Sequence, residues 1–392
     1  MEHYDFDKII DRHGSCSIKY DALDQWFGCS DVTPMWVADM DFESCPAVTD
    51  ALRQRLCHPV LGYTTVPDSY WDAIIGWLNR RHGLKATREQ LRFIPGVVKG
   101  IALVVNYFTD RGDKVLIQPP VYHPFRHVVE GNQRQVVCNP LVERDGKWSM
   151  DLEGMRRVVE AEHPRMMILC NPHNPIGLQW DADTLREVAR IAAENQMIVV
   201  SDEIHADLML DRRPHIPFVT VSDDAAKVGV TLGAPSKTFN IPGMASSWCL
   251  IANPELREGF FNWLDVNEFC APDMGAIIAA QSAYNNGEAW LDQLLTYLEG
   301  NIDTAIDYIA SRCHGIKAIR PEASFLIWLD CRSLGMSQQQ LVDFFIHKAH
   351  LALNDGSIFG PEGVGFMRLN VGMPRAKLTT ALQQLSKALE SL

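Results

Sequence analysis

The sequence predicts an α/β protein in which a mostly parallel sheet, covered by helices, is followed by a smaller α+β unit. Three observations carry this. Short apolar runs without polar alternation recur between residues 114 and 252, helical stretches separate them, and beyond Pro272 one long helical stretch leads into a mixed unit. Strands buried on both faces read as continuous apolar runs, and alternation with helices calls for parallel crossovers. At 392 residues the chain has length for two domains with large cores.

Composition narrows the class. A net charge of −13 argues against nucleic acid or an anionic membrane as the main partner. A small anionic substrate would need a locally positive pocket. None of the ten cysteines pairs as C-x-x-C, so a zinc site or redox dithiol is not expected, and the usage suits a reducing cytoplasm. The first residues show no cationic segment leading into an apolar one, and no apolar run approaches the roughly 18 residues that span a bilayer. A cytoplasmic protein is expected.

In chain order, residues 1–45 read as an irregular N-terminal arm belonging in part to the small domain, with Pro34 to Phe42 extended. Ser44-Cys45-Pro46 opens a helix to about Cys57, by a cap residue and an early proline. Gly62-Tyr63-Thr64 lies in a polar loop, and a helix over Asp68–Arg81 stops at His82-Gly83. A strand ending at Ile94 turns through Gly96 into an apolar helix, Ile101–Phe108, leaving free backbone N–H groups that suit an anion. Further strands are Lys114–Gln118, Gln135–Asn139, Met166–Cys170, Met197–Ser201, Lys227–Leu232 and Trp248–Ala252, with helices over Leu152–Glu160 and Ala182–Asn195. Residues 46–285 form the large domain. A helix over Gly275–Asn285 precedes a long one, Glu288–Cys313, which bridges to the small domain, 286–392, with strands Phe325–Asp330 and Gly365–Val371 around the helix Gln338–Ala349.

Four polar residues stand where such a fold places its site. Lys237 lies just past a buried strand in the loop Gly233 to Gly243, at the sheet edge where α/β enzymes bind ligands. Asp202 follows another buried strand, where a carboxylate is costly without a cation or strong donors. Asn171-Pro172-His173-Asn174-Pro175 makes a rigid turn with two amides at the same edge. Arg368 sits within an apolar strand and needs an anion, from the protein or from a ligand. A surface lysine, a helix cap, a structural turn and an internal ion pair are the separate plain accounts. Together the four meet the needs of pyridoxal 5′-phosphate, which takes a lysine for its Schiff base, a carboxylate against the pyridine nitrogen, donors for its phosphate and an arginine fork for the substrate carboxylate.

The motifs Pro34-Met35-Trp36-Val37-Ala38-Asp39-Met40-Asp41-Phe42, Asn171-Pro172-His173-Asn174-Pro175, Ser201-Asp202-Glu203-Ile204-His205, Pro235-Ser236-Lys237-Thr238-Phe239-Asn240 and Phe366-Met367-Arg368-Leu369-Asn370 carry a resemblance over essentially the whole chain. The chain resembles fold type I pyridoxal-phosphate enzymes with a mostly parallel seven-stranded sheet. Within them it looks like the bacterial carbon–sulfur β-lyases of the cystathionine β-lyase and cystalysin group. The resemblance implies that Lys237 bonds the cofactor, Asp202 pairs with the pyridinium, Asn171 bonds the ring oxygen with His205 close by, and Tyr122 stacks on the ring. It implies that Gly96, Val97 and Val98, with Ser236, hold the phosphate, that Tyr63 reaches it from a second subunit of a homodimer, and that Arg368 forks the carboxylate of a small amino acid in a pocket lined by Trp36 and Val37. Ala234 and Ala245 stand where many relatives have a serine and an arginine, which implies fewer phosphate anchors. The expected reaction is α,β-elimination of L-cystathionine or a related L-cysteine S-conjugate. An aminotransferase, or a lyase that also sequesters a transcription factor, is the alternative.

Overall fold

The apolar runs become strands because every position along them is shielded. The computed structural model describes residues 3–144 and 146–392. Seven strands, β1 (Leu91–Ile94), β2 (Lys114–Ile117), β3 (Gln135–Cys138), β4 (Met166–Cys170), β5 (Ile198–Asp202), β6 (Gly229–Gly233) and β7 (Ser247–Leu250), form one sheet. Their order is β1-β7-β6-β5-β4-β2-β3. Neighbours from β6 to β3 pair in parallel, and only β7 runs against its neighbours. Six strands therefore end at the same edge, which is where βα turns collect functional groups.

Alternate residues of each strand enter different cores, as the period of two requires. Ile168, Val200 and Val230 pack with Ile101, Val104, Phe125 and Phe260 on one face. Met167, Leu169 and Val199 pack with Leu185, Val188 and Ile191 on the other. Helix Ala182–Glu194 begins at Asp181, whose carboxylate accepts from the Thr184 N–H, and so meets an orphan donor of its first turn.

Beyond the 25-residue helix Glu288–Arg312 lies an antiparallel sheet of β8 (Lys317–Ile319), β9 (Leu326–Asp330), β10 (Asn354–Asp355) and β11 (Phe366–Asn370), in the order β8-β9-β11-β10. The N-terminal segment joins this side, because Thr33–Pro34 pairs in parallel with Leu351–Ala352. Among the described residues no helix is long and apolar enough to cross a membrane.

Several boundaries differ from expectation. The region before residue 45 holds two short helices, Ile18–Asp21 and Leu23–Phe27. Lys227 belongs to the helix Asp223–Val228, started by the Ser222 hydroxyl, so β6 begins later than expected. Lys237 is on a one-turn helix, Pro235–Thr238, rather than in open loop, since Pro235 fixes the first helical φ. Ser44 does not cap its helix; its hydroxyl donates to the Asn240 carbonyl at 2.9 Å. Helices Pro124–Gly131, Pro254–Val266 and Arg375–Leu389 add to the elements expected.

Gly233 ends β6 four residues before Lys237 because nothing larger fits. A Cβ there would lie 2.2 Å from the Trp248 ring, which is itself tied by its Nε1 to the Tyr284 hydroxyl at 3.1 Å. Gly233→Ala is expected to lower stability by about 1–3 kcal/mol, the usual cost of overpacking. Gly131→Ala, where a Cβ meets no atom within 4 Å, is the matched control. Urea unfolding of both variants checks this; equal midpoints would contradict the packing account.

Candidate active site

Lys237 rises from the turn after β6 and is shut away from water. Its Nζ donates to the carbonyl of Ala38, in the strap formed by residues 36–42. Burial lowers its ammonium pKa to about 8, helped by Arg368 and opposed by Asp39 and Asp202. Asp202, the last residue of β5, accepts the Ile204 N–H at 3.1 Å. Burial raises its pKa to about 7, reinforced by Glu203 and opposed by that N–H and by Lys237. His205, one turn further on, is buried with its Nδ1 unpartnered, and burial with the charges of Lys237 and Arg368 drives it down to about 3, so its ring is neutral.

Arg368 is only 4% exposed. Its Nη1 donates to Asn174 Oδ1 at 2.9 Å, and its Nη2 to the Trp36 carbonyl at 3.0 Å and Asn354 Oδ1 at 2.5 Å. Phe359 lies under the guanidinium carbon at 5.0 Å. All these partners are neutral, Nε is buried without a partner, and burial depresses the guanidinium to about 10. Tyr122, after β2, is half-buried and close enough to Arg368 and Asp202 to feel both charges. Helix Val97–Phe108 starts at Gly96, whose φ of +119° is a glycine conformation, and no side chain caps it. The end of β1 lies two strands from that of β6, roughly 10 Å at the usual strand spacing, so this helix start and the Ser236 turn share one corner.

Three expected residues sit differently. Asn171 does not turn its amide to the others: its Nδ2 donates to the Ile216 carbonyl and its Oδ1 accepts from Gln179, both at 3.1 Å. Its own N–H bonds the Asp202 carbonyl at 2.9 Å, which ties it into the strand ladder, and the turn brings Asn174 to Arg368 instead. The Trp36 ring does not line the pocket. It packs with Leu23, Val32, Ile346 and Ala352, its Nε1 bonded to the Lys19 carbonyl at 3.0 Å, and only its carbonyl meets Arg368. Val37 likewise offers its carbonyl, to Asn370 Nδ2 at 2.6 Å. Tyr63 is fully exposed on this chain.

The strap is held by residues the sequence reading did not single out. Asp41 takes Lys19 at 3.1 Å, Arg12 at 2.7 Å and the Tyr20 hydroxyl at 2.7 Å, and Asp39 takes a second bond from Arg12 at 2.7 Å. Asn240 Nδ2 bonds the carbonyls of Met40 and Phe42 at 2.9 and 3.0 Å. The paired aspartates around Met40 were the available signal. An open cleft of about 1130 Å³ lies between residues 3–7, Arg80–His82 and residues 288–300; it touches Asp207 and His215 but none of Lys237, Asp202 or Arg368.

The donor set fits pyridoxal 5′-phosphate. A lysine near neutrality, a buried carboxylate without a cationic partner, an uncapped helix start and an arginine with an orphaned Nε leave open the positions that its aldehyde, ring nitrogen, phosphate and amino-acid adduct would fill. Fold and site together define an enzyme of the aminotransferase type. The chain belongs to the aminotransferase class I and II family, which it matches over residues 30–385. It is 42% identical over 384 residues to cystathionine beta-lyase PatB of Bacillus subtilis, covering 98% of this chain and 99% of that one. It is 32% identical over 391 residues to protein MalY of Escherichia coli, covering 99% and 100%. The crystal structure of cystalysin from Treponema denticola, which contains pyridoxal 5′-phosphate, superposes with a TM-score of 0.95 at 32% identity over the full length of both chains.

A lysine near pKa 8 dictates a pH response. Capture of an aldehyde needs the neutral amine, which gains about tenfold per pH unit below that value and levels above it. The rate at which apoenzyme takes up pyridoxal 5′-phosphate, followed by absorbance, is expected to level off near pH 8. A rise continuing towards pH 10, the range of an ordinary lysine at roughly 10.4, would contradict the buried-amine account.

Proposed function

We infer that the chain is a pyridoxal 5′-phosphate-dependent carbon–sulfur β-lyase that cleaves L-cysteine S-conjugates, L-cystathionine foremost. The observation that carries this is a pair of buried cations, Lys237 and Arg368, whose hydrogen bonds all go to neutral oxygens, in a chain similar over its full length to cystathionine β-lyases. Lys237 would bond the cofactor, Asp202 would face its ring nitrogen, and Asn174 and His205 would serve the ring oxygen. Tyr122 would cover the ring face, and Gly96, Val97, Val98 and Ser236 would hold the phosphate. Bound there, pyridoxal 5′-phosphate supplies an aldehyde for amines and an electron sink for the pair released at Cα.

The chain's own groups do the rest. Arg368 takes the substrate carboxylate through charge-assisted bonds, orienting the Cα–H bond towards Lys237. The Lys237 amine, half neutral near pH 8, removes that proton as general base. Asp202 would face the ring nitrogen and, as an anion, would favour its protonated form. The Cβ–S bond then breaks, the sulfur departs with the bonding pair, and the Lys237 ammonium returns a proton to it. A thiol of pKa about 8.5 is a competent leaving group. Addition of water to the remaining aminoacrylate gives pyruvate and ammonia.

The functional unit proposed is a homodimer in which Tyr63 of the partner subunit reaches the phosphate. Supporting this, Leu56, Val60, Leu61 and Tyr63 form one exposed apolar stretch, at 59%, 63%, 64% and full exposure. The division proposed is a large domain over 46–285, with 286–392 and the first 45 residues making the smaller one.

Turnover of the holoenzyme with L-cystathionine is expected to give pyruvate and free thiol in equal amounts, with Lys237→Ala inactive. A keto acid that keeps its sulfur, with the cofactor left in its amine form, would replace the lyase by an aminotransferase. The shared site has its own test. Mixing inactive Lys237→Ala chains with weakened Tyr63→Ala chains should restore activity, because one of the two hybrid sites is intact; no restoration after subunit exchange would sink the composite site.

A further inference from the structure

We propose that Asp207, held by His82 and Trp77, positions Lys237 through Thr238. The proposal rests on the reading of Lys237 as the residue that bonds the cofactor. Asp207 sits in the turn Ala206–Leu208, five residues beyond Asp202, with its carboxylate buried. Its Oδ1 accepts from Trp77 Nε1 and from His82 Nε2, each at 2.8 Å, and its Oδ2 accepts from the Thr238 hydroxyl at 2.8 Å. Burial would push this carboxyl up, but the bonds from His82, Thr238 and Trp77 keep it below its ordinary value, so it is an anion.

The lysine needs such a hold. Pro235–Thr238 is a single helical turn, and an isolated turn has no stability of its own because nucleation is unfavourable. Its direction is set by what grips its end. Thr238 is fully buried and gripped by Asp207; Phe239 lies 5.5 Å from the Trp77 ring; Asn240 is pinned to the strap. Trp77 and His82, on the helix Asp68–His82, thus fix both Asp207 and the residue after Thr238. An apolar side chain would fill the same space without the cost of burying a charge. What the carboxylate adds is direction, because its two oxygens are held by three buried donors at 2.8 Å, Trp77, His82 and Thr238.

The network extends to the other cofactor-facing residue. His82 packs edge-on against His215 at 5.4 Å, and His215 Nε2 meets Glu203 Oε2 at 2.8 Å. Glu203 also accepts from Ser201 Oγ and the Phe218 N–H, each at 2.9 Å. Asp202 is therefore followed directly by one histidine-paired buried carboxylate, Glu203, and five residues on by a second, Asp207, and the two histidines touch. Lys237 and Asp202 are set against one scaffold.

Thr238→Val removes the hydroxyl while leaving Asp207 its bonds to His82 and Trp77, and Thr238→Ser restores it. The readouts are kcat and KM with L-cystathionine, the dissociation constant of pyridoxal 5′-phosphate from apoenzyme by tryptophan fluorescence, and the cofactor carried on Lys237 after borohydride reduction, by peptide mass. For Thr238→Val we expect kcat to fall by about tenfold to a hundredfold, the scale of a small misplacement, with KM little changed and cofactor bound more weakly. Thr238→Ser should sit near the parent. Asp207→Asn, of nearly equal volume, repeats the test from the other partner. Parental kcat and cofactor affinity in both variants, with only thermal stability lowered, would overturn the proposal, as would an equal loss in Thr238→Ser. Borohydride-fixed cofactor on a residue other than Lys237 would instead overturn the reading beneath it.

Discussion

Two buried cations whose direct hydrogen-bond partners are all uncharged are the constraint on which the rest of this structure depends. Charged groups taken out of water normally find an opposite charge. Arg368 instead meets two amide oxygens and a carbonyl, and Lys237 meets the Ala38 carbonyl. Dipoles of this kind hold the cations in place and leave their net charge standing. In a protein of net charge −13 this gathers two cations, with Asp202 and Asp39 near Lys237, at the sheet edge where six strands end. A phosphate-bearing cofactor and an amino acid would bring the directly bonded anions that neither cation has among the described residues.

The strap at residues 36–42 has to be rigid for the same reason. Its carbonyls at 36, 37, 38 and 39 are bonded by Arg368, Asn370, Lys237 and, for Asp39, by both Asn370 and Lys19. A strap that moved would take the acceptors away from both cations at once. Asp39 and Asp41, locked by Arg12, Lys19 and Tyr20, prevent that. Lys19 has no exposed surface at all, so this is a buried network, and removing one partner of such a pair costs about 3–5 kcal/mol. The paired aspartates act on the backbone between them, and through it on the site.

Lys237, Asp202 and Arg368 were legible in the sequence because each is a charged residue against an apolar strand, a conflict that one-dimensional pattern exposes. The alternating apolar runs likewise gave the sheet. Asn171 and Asn174 were not separable that way: both are Asn-Pro steps in one turn, and only the Asn171 bonds to Ile216 and Gln179 show which amide is spent on structure. Trp36 was misread because an aromatic near a site is indistinguishable in sequence from one packed behind it, whereas a backbone carbonyl leaves no trace in sequence at all. Arg12, Lys19, His82 and Asp207 stayed hidden for a further reason. Their partners lie 27, 22, 125 and 31 positions away, and no local periodicity records such pairings.

The bonds now made at the site also differ in what each side chain would give up to a ligand. Lys237 must give up the Ala38 carbonyl before its amine can bond an aldehyde, so cofactor uptake exchanges one neutral contact for a covalent one and frees that carbonyl in the pocket. Arg368 need give up nothing of the kind, because its Nε is already unpartnered while both terminal nitrogens stay anchored. A carboxylate can then arrive at a guanidinium whose plane is fixed beforehand by Asn174, Asn354, the Trp36 carbonyl and the Phe359 ring. Little rotamer entropy would then be lost on binding, and under the proposed role Arg368 would orient the substrate's Cα from a position its bonds already hold. The group held by a single hydrogen bond is the lysine, which is the one the proposed chemistry requires to change places.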